Sequence, residues 1–231
     1  MVTDILTESK NSAKDRLIRS YGRIKSRKLS SHKNFLINDF FNNYKISLIN
    51  DKHSPNHLEI GFGFGDFLFD HSKKNPHINF YGFEPHLNGI ANLLSFLQNE
   101  PLKNLKISNH DIRQEIFNFP DNFFEKIYLL FPDPWPKLKH YKRRLINTEF
   151  LDNILAPKLI KNGKIIIATD HDSYKTWIFN QILQSQHFKW HAKDRESWQK
   201  FPDDWTLTKY QKKAIAEGRV PILIEIQKHD Q

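Results

Sequence analysis

Apolar residues along this chain alternate between short continuous runs and helically spaced positions. The runs predict buried strands at 58–62, 78–83, 105–108, 126–131, 164–168 and 222–226. The helical spacing predicts helices after the first strand, at 87–97, at 150–160 with a kink or early end at Pro157, and at 174–183. Asn162-Gly163 is predicted as a turn before the fifth strand. Strands that alternate with helices indicate an α/β fold with a mainly parallel sheet and helices on both faces.

The net charge of the chain indicates a class of binding partner. The 231 residues, enough for one large domain, include 35 Lys and Arg against 26 Asp and Glu, a net charge of +9. A positive field of this size favours polyanions, either nucleic acid or an anionic membrane surface. A basic protein without such a partner is the alternative.

The first 33 residues differ from the rest in composition. Between residues 10 and 33 there are nine Lys or Arg and one acidic residue, Asp15. We therefore predict a basic, flexible arm over 1–33 that settles on RNA, followed by one domain over 34–231. A solubilising tail is the alternative interpretation of the arm.

Several classes of site are not expected. Cysteine is absent, so the chain has no disulfide, thiolate nucleophile or Cys-ligated zinc. There is no long apolar stretch and no apolar signal core, which predicts a soluble cytoplasmic protein with no membrane partner. His53 and His57 have no obvious third ligand and there is no His-Glu-x-x-His, so no metal site is predicted.

Three segments at predicted strand ends suggest a nucleoside site, because ligands of open α/β sheets bind there. Glu59-Ile-Gly-Phe-Gly-Phe-Gly65 lets the backbone turn tightly, but Asp66 stands where a dinucleotide fingerprint needs Gly or Ala, which disfavours an NAD-dependent oxidoreductase. Glu84 can accept hydrogen bonds from ribose hydroxyls. Asp111 can contact the nucleoside or cap the following segment. Glu59 has the alternative role of capping backbone amides.

The fourth strand end carries the most informative segment, Phe131-Pro-Asp-Pro-Trp-Pro-Lys137. Its three prolines stiffen a loop that holds Asp133, and Trp135 can pack on a base or simply be buried. A basic run follows at once: Lys137, Lys139, Lys142, Arg143 and Arg144. Such a run contacts RNA phosphates or forms a solvated face.

These segments together resemble the bacterial tRNA (guanine-N7)-methyltransferases, from about residue 20 to the C-terminus. The Glu-Ile-Gly-x-Gly-x-Gly turn resembles motif I of class I S-adenosylmethionine methyltransferases in general, whereas Phe-Pro-Asp-Pro-Trp with its basic run is specific. Ala168-Thr-Asp170 and Thr208-Lys-Tyr-Gln211 resemble two later family segments. The resemblance implies a Rossmann-like sheet with an antiparallel C-terminal strand, S-adenosylmethionine as cofactor and tRNA as partner.

The resemblance also implies residue roles. The cofactor residues would be Glu59, Gly61, Gly63, Gly65, Glu84, Asp111 and Asp133. The substrate residues would be Lys137, Asp170, Thr208, Lys209, Tyr210 and Gln211. The RNA contacts are expected from Lys139, His140, Tyr141, Lys142, Arg143 and Arg144. The implied reaction is N7 methylation of the tRNA variable-loop guanine at position 46.

Asp133 is the expected catalytic residue. Guanine N7 has a free lone pair and no proton to lose, so the reaction depends on positioning and needs no strong base. A carboxylate that accepts hydrogen bonds from guanine N1–H and the exocyclic amine would fix the base and favour its developing positive charge.

Departures from the family pattern leave alternatives open. Gln211 replaces the usual Glu, and Ala214 and Val220 stand where Gly is typical. A base amino-methyltransferase carries a similar Asn/Asp-Pro-Pro-aromatic loop, although with another proline order. A non-catalytic RNA-binding protein on the same scaffold is the third possibility. The oligomeric state is not predicted, with a monomer slightly favoured.

Overall fold

The computed structural model describes residues 28–46, 54–192, 194 and 196–229. Most of the predicted basic arm, residues 1–27, lies outside the described residues. The part that is described, 28–33, runs into helix α1, which begins at Ser31 with the Ser30 side chain accepting a hydrogen bond from the Lys33 N–H. Helix α1 therefore begins three residues before residue 34, the predicted start of the domain.

The described residues form a seven-stranded sheet of order β3-β2-β1-β4-β5-β7-β6. The strands are β1 (Asn56–Ile60), β2 (Asn79–Phe83), β3 (Leu105–Ser108), β4 (Phe124–Leu130), β5 (Leu159–Thr169), β6 (Phe188–Trp190) and β7 (Ile222–Lys228). The first five strands pair in parallel, and β7 is antiparallel to both β5 and β6. This confirms the predicted mostly parallel sheet with an antiparallel C-terminal strand.

Helices cover both faces of this sheet. They are α1 (Ser31–Asn38), α2 (Asp66–Lys74), α3 (Leu87–Asn99), α4 (Ile112–Glu115), α5 (Ala156–Lys158), α6 (Asp172–Gln184) and α7 (Lys209–Ala216). A π-helical segment, Phe150–Leu155, leads into α5, and 3-10 turns occupy Phe40–Asn43, Ile116–Asn118, Leu138–Arg143 and Glu196–Trp198.

The two faces have separate apolar cores, as strand alternation requires. In β1, Leu58 and Ile60 point into the larger core beneath α6 and the π-helical segment. The opposite side of the sheet packs on α1, α2 and α3 through a second core that includes Leu68 and Leu94. His57 and Glu59 lie on the α2 side of β1, and both are buried.

Most predicted elements agree with the structure to within two residues, but the region around β5 differs. The predicted turn at 162–163 lies inside β5, where Asn162 has a φ of 60° and the pairing with β4 shifts register between Phe124 and Lys126. The pairing advances five residues along β5, from Leu159 to Lys164, but only two along β4, so the chain bends at the predicted turn within the span of β5. The helix predicted at 150–160 ends at Lys158, which agrees with the early end expected near Pro157.

Candidate active site

A cleft of about 870 Å³ opens at the carboxyl ends of the parallel strands. It lies where the strand order reverses between β1 and β4, the usual ligand position in open α/β sheets. The cleft is lined by the glycine turn after β1, the segments 83–86, 111–113 and 131–136 after β2, β3 and β4, and Tyr210 of α7. Its volume suits a nucleoside-sized ligand.

The glycine turn is fixed by contacts that only glycine permits. Gly61, Gly63 and Gly65 all have positive φ angles, of 75°, 57° and 82°. The Gly63 N–H donates to Glu84 Oε2 at 2.8 Å. A Cβ on Gly89 would lie 2.1 Å from the Gly63 carbonyl oxygen, so the start of α3 packs directly on the turn. The turn, Glu84 and α3 thus form one rigid cradle.

Glu84 is oriented by the backbone on both of its oxygens. Oε2 accepts from Gly63, and Oε1 accepts from the His86 N–H at 2.8 Å. Burial raises the pKa of Glu84 above its usual range, the two backbone N–H groups lower it, and the charge of Asp133 raises it further. Each oxygen keeps a lone pair for another donor, so the carboxylate can still bind ribose hydroxyls.

Asp111 performs the capping role that the sequence left open. It accepts the Arg113 N–H at 3.0 Å as the N-cap of α4, and the Arg113 guanidinium contacts both of its oxygens, at 2.8 Å from Nε and 2.5 Å from Nη2. Both side chains line the cleft. Arg113 is a site residue that sequence analysis missed, because nothing in its spacing distinguishes it from a surface arginine.

Two predicted cofactor residues, Glu59 and Gly65, lie behind the cleft wall. Glu59 is 3% exposed, and among the described residues its Oε2 finds no hydrogen-bond partner. Burial raises the pKa of Glu59 to about 8, and the charges of Glu84 and Asp66 add to the rise. Gly65 packs against Leu93 of α3. Both residues support the turn from beneath, and this geometry gives neither a place on the cleft surface.

The loop after β4 holds Asp133 on a strained backbone. Phe131 and Trp135 both have left-handed φ angles, 52° and 41°, which cost roughly 1–3 kcal/mol each for residues other than glycine. The Phe131 N–H donates to the Ala168 carbonyl of β5 at 2.8 Å. Asp133 lies exposed at the cleft between these two residues. Such strain persists only where surrounding contacts hold it.

The predicted RNA contacts fall into two groups. Lys137, Lys139 and Lys142 are exposed along the 3-10 turn at Leu138–Arg143, and His140 and Tyr141 are half-buried beside them. The Arg143 guanidinium lies 4.9 Å from the centre of the Trp135 ring and lines the cleft. These six lysine, histidine, tyrosine and arginine side chains border the loop that carries Asp133.

Arg144, by contrast, is not available to RNA, and that prediction is wrong for the structure described. Its side chain is 2% exposed. The Nε group donates to the Pro134 carbonyl at 2.9 Å, and Nη1 and Nη2 donate to the Ser173 carbonyl and hydroxyl. The sequence prediction treated the basic run as one unit, although the apolar Leu145 and Ile146 that follow indicate that the chain is turning into the core.

The residues of the 208–211 segment also fall into two groups, according to whether their side chains are buried or lie toward the cleft. Thr208 caps α7 by accepting the Gln211 N–H at 3.0 Å, and Gln211, only 2% exposed, accepts from the Trp205 indole at 2.9 Å. Direct substrate contact by these two side chains is therefore not supported. Tyr210 lines the cleft with its ring against Gly63, and the Lys209 ammonium lies 3.9 Å from the centre of the Phe64 ring.

Asp170 follows β5 and is held by a residue that sequence analysis did not identify. The Arg219 Nε donates to Asp170 Oδ2 at 2.5 Å, and the same guanidinium also pairs with Glu217. The ion pair fixes the end of α7 to the end of β5. Across the described ranges, no group of three or more His, Asp or Glu residues is arranged to hold a metal ion, and no helix there is long and apolar enough to cross a membrane.

Comparison with known proteins decides the family. A family model described as "Putative methyltransferase" matches residues 53–222. A tRNA (guanine-N(7)-)-methyltransferase of Wolbachia pipientis wMel is 41% identical over 180 residues, covering 75% of this chain and 78% of that protein. The chain belongs to the tRNA (guanine-N7)-methyltransferase family. A second member, from Chelativorans sp. (strain BNC1), is 37% identical over 71% of this chain and 70% of its own length.

Solved structures agree on the methyltransferase fold. A tRNA (m1A58) methyltransferase from Aquifex aeolicus matches with a TM-score of 0.50 at 15% identity, over 94% of this chain and 76% of that one. An S-adenosylmethionine-dependent O-methyltransferase from Thermotoga maritima has the same TM-score at 11% identity, over 90% and 68%. At these identities the likeness concerns the fold alone.

The cofactor of this methyltransferase is S-adenosylmethionine, and the cleft residues fit it. Gly61, which lines the cleft, has open space where a Cβ would lie, and the carboxylates of Glu84, Asp111 and Asp133 line the same cleft. Carboxylates complement the ribose hydroxyls and the positive charges of the methionine end. When bound, the cofactor supplies an electrophilic methyl group on a sulfonium.

Proposed function

We propose that this protein methylates N7 of the variable-loop guanosine, position 46, of tRNA. The observation that carries the proposal is the exposed Asp133 carboxylate, held on a strained loop at the cofactor cleft and followed at once by exposed lysines. The target atom of guanine has an accessible lone pair, so the protein's task is to hold the base in line with the methyl group.

Asp133 is assigned the positioning of the guanine. Its carboxylate accepts hydrogen bonds from N1–H and the exocyclic amine, which orients N7 toward the cleft and stabilises the positive charge that methylation creates. Asp133 lies near enough to Glu84 for its charge to raise that group's pKa, which supports its placement beside the cofactor. No proton transfer is required of it.

The surrounding residues are assigned to the RNA. Lys137, Lys139 and Lys142 are exposed beside the loop and suit phosphate contacts, and Asp170 and Tyr210 border the same side of the sheet. The basic arm at 1–33 is assigned to the same phosphate backbone. Tyr210 sits against Gly63, so it connects the substrate segment with the cofactor turn. Methylation of tRNA would place the protein in the cytoplasm.

Label transfer from S-adenosylmethionine to unmodified tRNA tests this function. The expected product is N7-methylguanosine at position 46, located by chain cleavage at the modified base, with no label in a matched tRNA that has adenosine there. Label on an exocyclic amine would instead support a base amino-methyltransferase. Absence of transfer across a panel of tRNAs with a variable-loop guanosine would overturn the proposal.

A further inference from the structure

We propose that Arg144 is a positioning residue that fixes the Asp133 loop from within the protein, and that it does not bind RNA phosphate. The predicted effect of Arg144 on turnover depends on the proposed methyl transfer, whereas its predicted effect on the loop does not. Arg144 belongs by sequence to the basic run, yet it is buried, unlike the lysines of that run. The side chain is 2% exposed, while Lys142 is exposed.

The three donor groups of the guanidinium reach two different segments. Nε donates to the Pro134 carbonyl at 2.9 Å. On the other side, Nη1 donates to the Ser173 carbonyl at 3.3 Å and Nη2 to the Ser173 hydroxyl at 3.0 Å. One planar group thus joins the residue after Asp133 to the first turn of α6, which begins just after Asp170. The two proposed substrate-facing carboxylates are held at a fixed separation by this link.

Aromatic rings hold the guanidinium in place. Its central carbon lies 3.6 Å from the centre of the Tyr141 ring, 5.1 Å from that of Tyr174 and 5.2 Å from that of Trp177. Two of these rings are themselves fixed by Ile146, whose N–H donates to the Tyr174 hydroxyl and whose carbonyl accepts from the Trp177 indole at 2.7 Å. The positive charge therefore sits in a preformed cation–π box.

The strained loop needs an anchor of this kind. Phe131 and Trp135 adopt left-handed φ angles on either side of Asp133, and the three prolines of the loop have no N–H to donate. At these positions the loop can therefore be anchored only through backbone carbonyls, such as that of Pro134. A lysine could reach one acceptor but could not bridge both segments, because it lacks the planar fork of donors.

Arg144→Lys tests the inference by separating turnover from binding. With saturating tRNA we expect kcat to fall about 10-fold or more, since small misplacements of reacting groups have large effects. The Kd for S-adenosylmethionine and the salt dependence of tRNA binding should stay as in the wild type. Lys142→Ala is the contrasting variant, which should raise the KM for tRNA and reduce its salt dependence. A wild-type kcat in Arg144→Lys would overturn the inference.

A second pair of variants covers the case in which Arg144→Lys does not fold. Ser173→Ala removes one acceptor and should lower kcat about 3-fold, and Ser173→Thr, which keeps the hydroxyl, should restore it. Equal kcat values in the alanine and threonine variants would count against the inference.

Limited trypsin digestion separates this inference from the proposed function. We expect Arg144→Lys, or Ser173→Ala, to be cleaved faster after Lys137 and Lys139 than the wild type, because a released loop reaches the protease more often. Faster cleavage of the variants, together with no methylation of tRNA by the wild type, would overturn the proposed function and leave the anchoring role standing. Unchanged cleavage and unchanged kcat would overturn the anchoring role.

Discussion

Glu84 and Asp133 are carboxylates of one cleft, on either side of β1, and they are held in different ways. Glu84 is half-buried and receives backbone N–H groups on both oxygens, from Gly63 and His86. Asp133 is exposed, and the loop that carries it is fixed through its carbonyl backbone by Arg144, eleven residues later. In the first arrangement backbone N–H groups bind the carboxylate directly, whereas in the second a buried side chain, which also binds Ser173, holds the loop around the carboxylate.

This difference indicates which half of the site tolerates change. The cofactor half is defined by a glycine turn and its partner carboxylate, so substitutions there should affect cofactor binding first. The substrate half relies on strain that is stabilised by a buried side chain, so substitutions there should affect turnover first. The predictions below test this separation.

The largest effect is expected from Asp133→Asn. The amide keeps the shape but loses the charge and one acceptor, so kcat should fall by about 100-fold to 1000-fold while the Kd for S-adenosylmethionine changes little. Asp39→Asn, an exchange at an exposed position away from the cleft, is the matched control. Kinetics at saturating tRNA and calorimetric titration of the cofactor measure the two quantities. A wild-type kcat in Asp133→Asn would show that the Asp133 carboxylate has no part in catalysis.

Glu84→Gln should produce the reverse pattern. The side chain can no longer accept from both Gly63 and His86, so one backbone N–H loses its acceptor and the turn loosens. We expect the Kd for S-adenosylmethionine to rise about 10-fold to 100-fold, with a smaller change in kcat at saturating cofactor. Glu100→Gln, which changes an exposed ion pair with Lys73, is the control. A pure kcat defect would contradict the proposed division of the site.

The cofactor half and the substrate half of the site also differ in how far the sequence predicts them. Glycines that precede a helix and carboxylates at strand ends are visible in sequence, and Gly63, Glu84 and Asp111, which have this pattern, line the cleft. Strands β1 to β4 were found because buried parallel strands are continuous apolar runs. Strand β6, with only three residues, and helix α7, with a mostly polar sequence, give no comparable signal.

Burial of polar residues is what the sequence could not show. Arg144, Glu59 and Gln211 look like surface groups from their type, yet each is at most 3% exposed. Arg144 is buried through its bonds to Ser173, 29 residues along the chain, and Glu59 through its place in β1 between β2 and β4. Single-sequence patterns contain no information about such pairings.

The buried Glu59 beneath the glycine turn predicts a pH-dependent stability. Its pKa is raised from 4.5 to about 8, so the folded state prefers the neutral acid. The stability that it contributes is fully present below about pH 4.5 and is lost as the pH rises toward and through 8. Glu59→Gln removes this loss, and its Tm relative to the wild type should rise by on the order of 5 °C between pH 5 and pH 9.

Thermal unfolding at both pH values checks this, with Glu100→Gln as a matched exchange at an exposed glutamate. A difference in Tm between Glu59→Gln and the wild type that stays constant with pH would show that Glu59 is not buried as a neutral acid.

The smallest effect is expected from the exposed lysines beside the catalytic loop. Replacing Lys139 and Lys142 together with alanine should lower tRNA affinity several-fold at low salt and reduce the slope of log K against log salt by about 1 to 2. Lys189→Ala, at an exposed position on the sheet edge, should leave the slope unchanged. An unchanged slope in the double variant would show that these lysines form a solvated face and do not contact RNA phosphates.

The most direct test of the account uses tRNA in which guanosine 46 is replaced by 7-deazaguanosine. This base keeps N1–H and the exocyclic amine that Asp133 is proposed to bind, but it has a C–H in place of the N7 lone pair. The account predicts that the substituted tRNA competes with normal tRNA for the enzyme and accepts no methyl group. Methyl transfer to the 7-deaza tRNA at the rate seen with normal tRNA would contradict it.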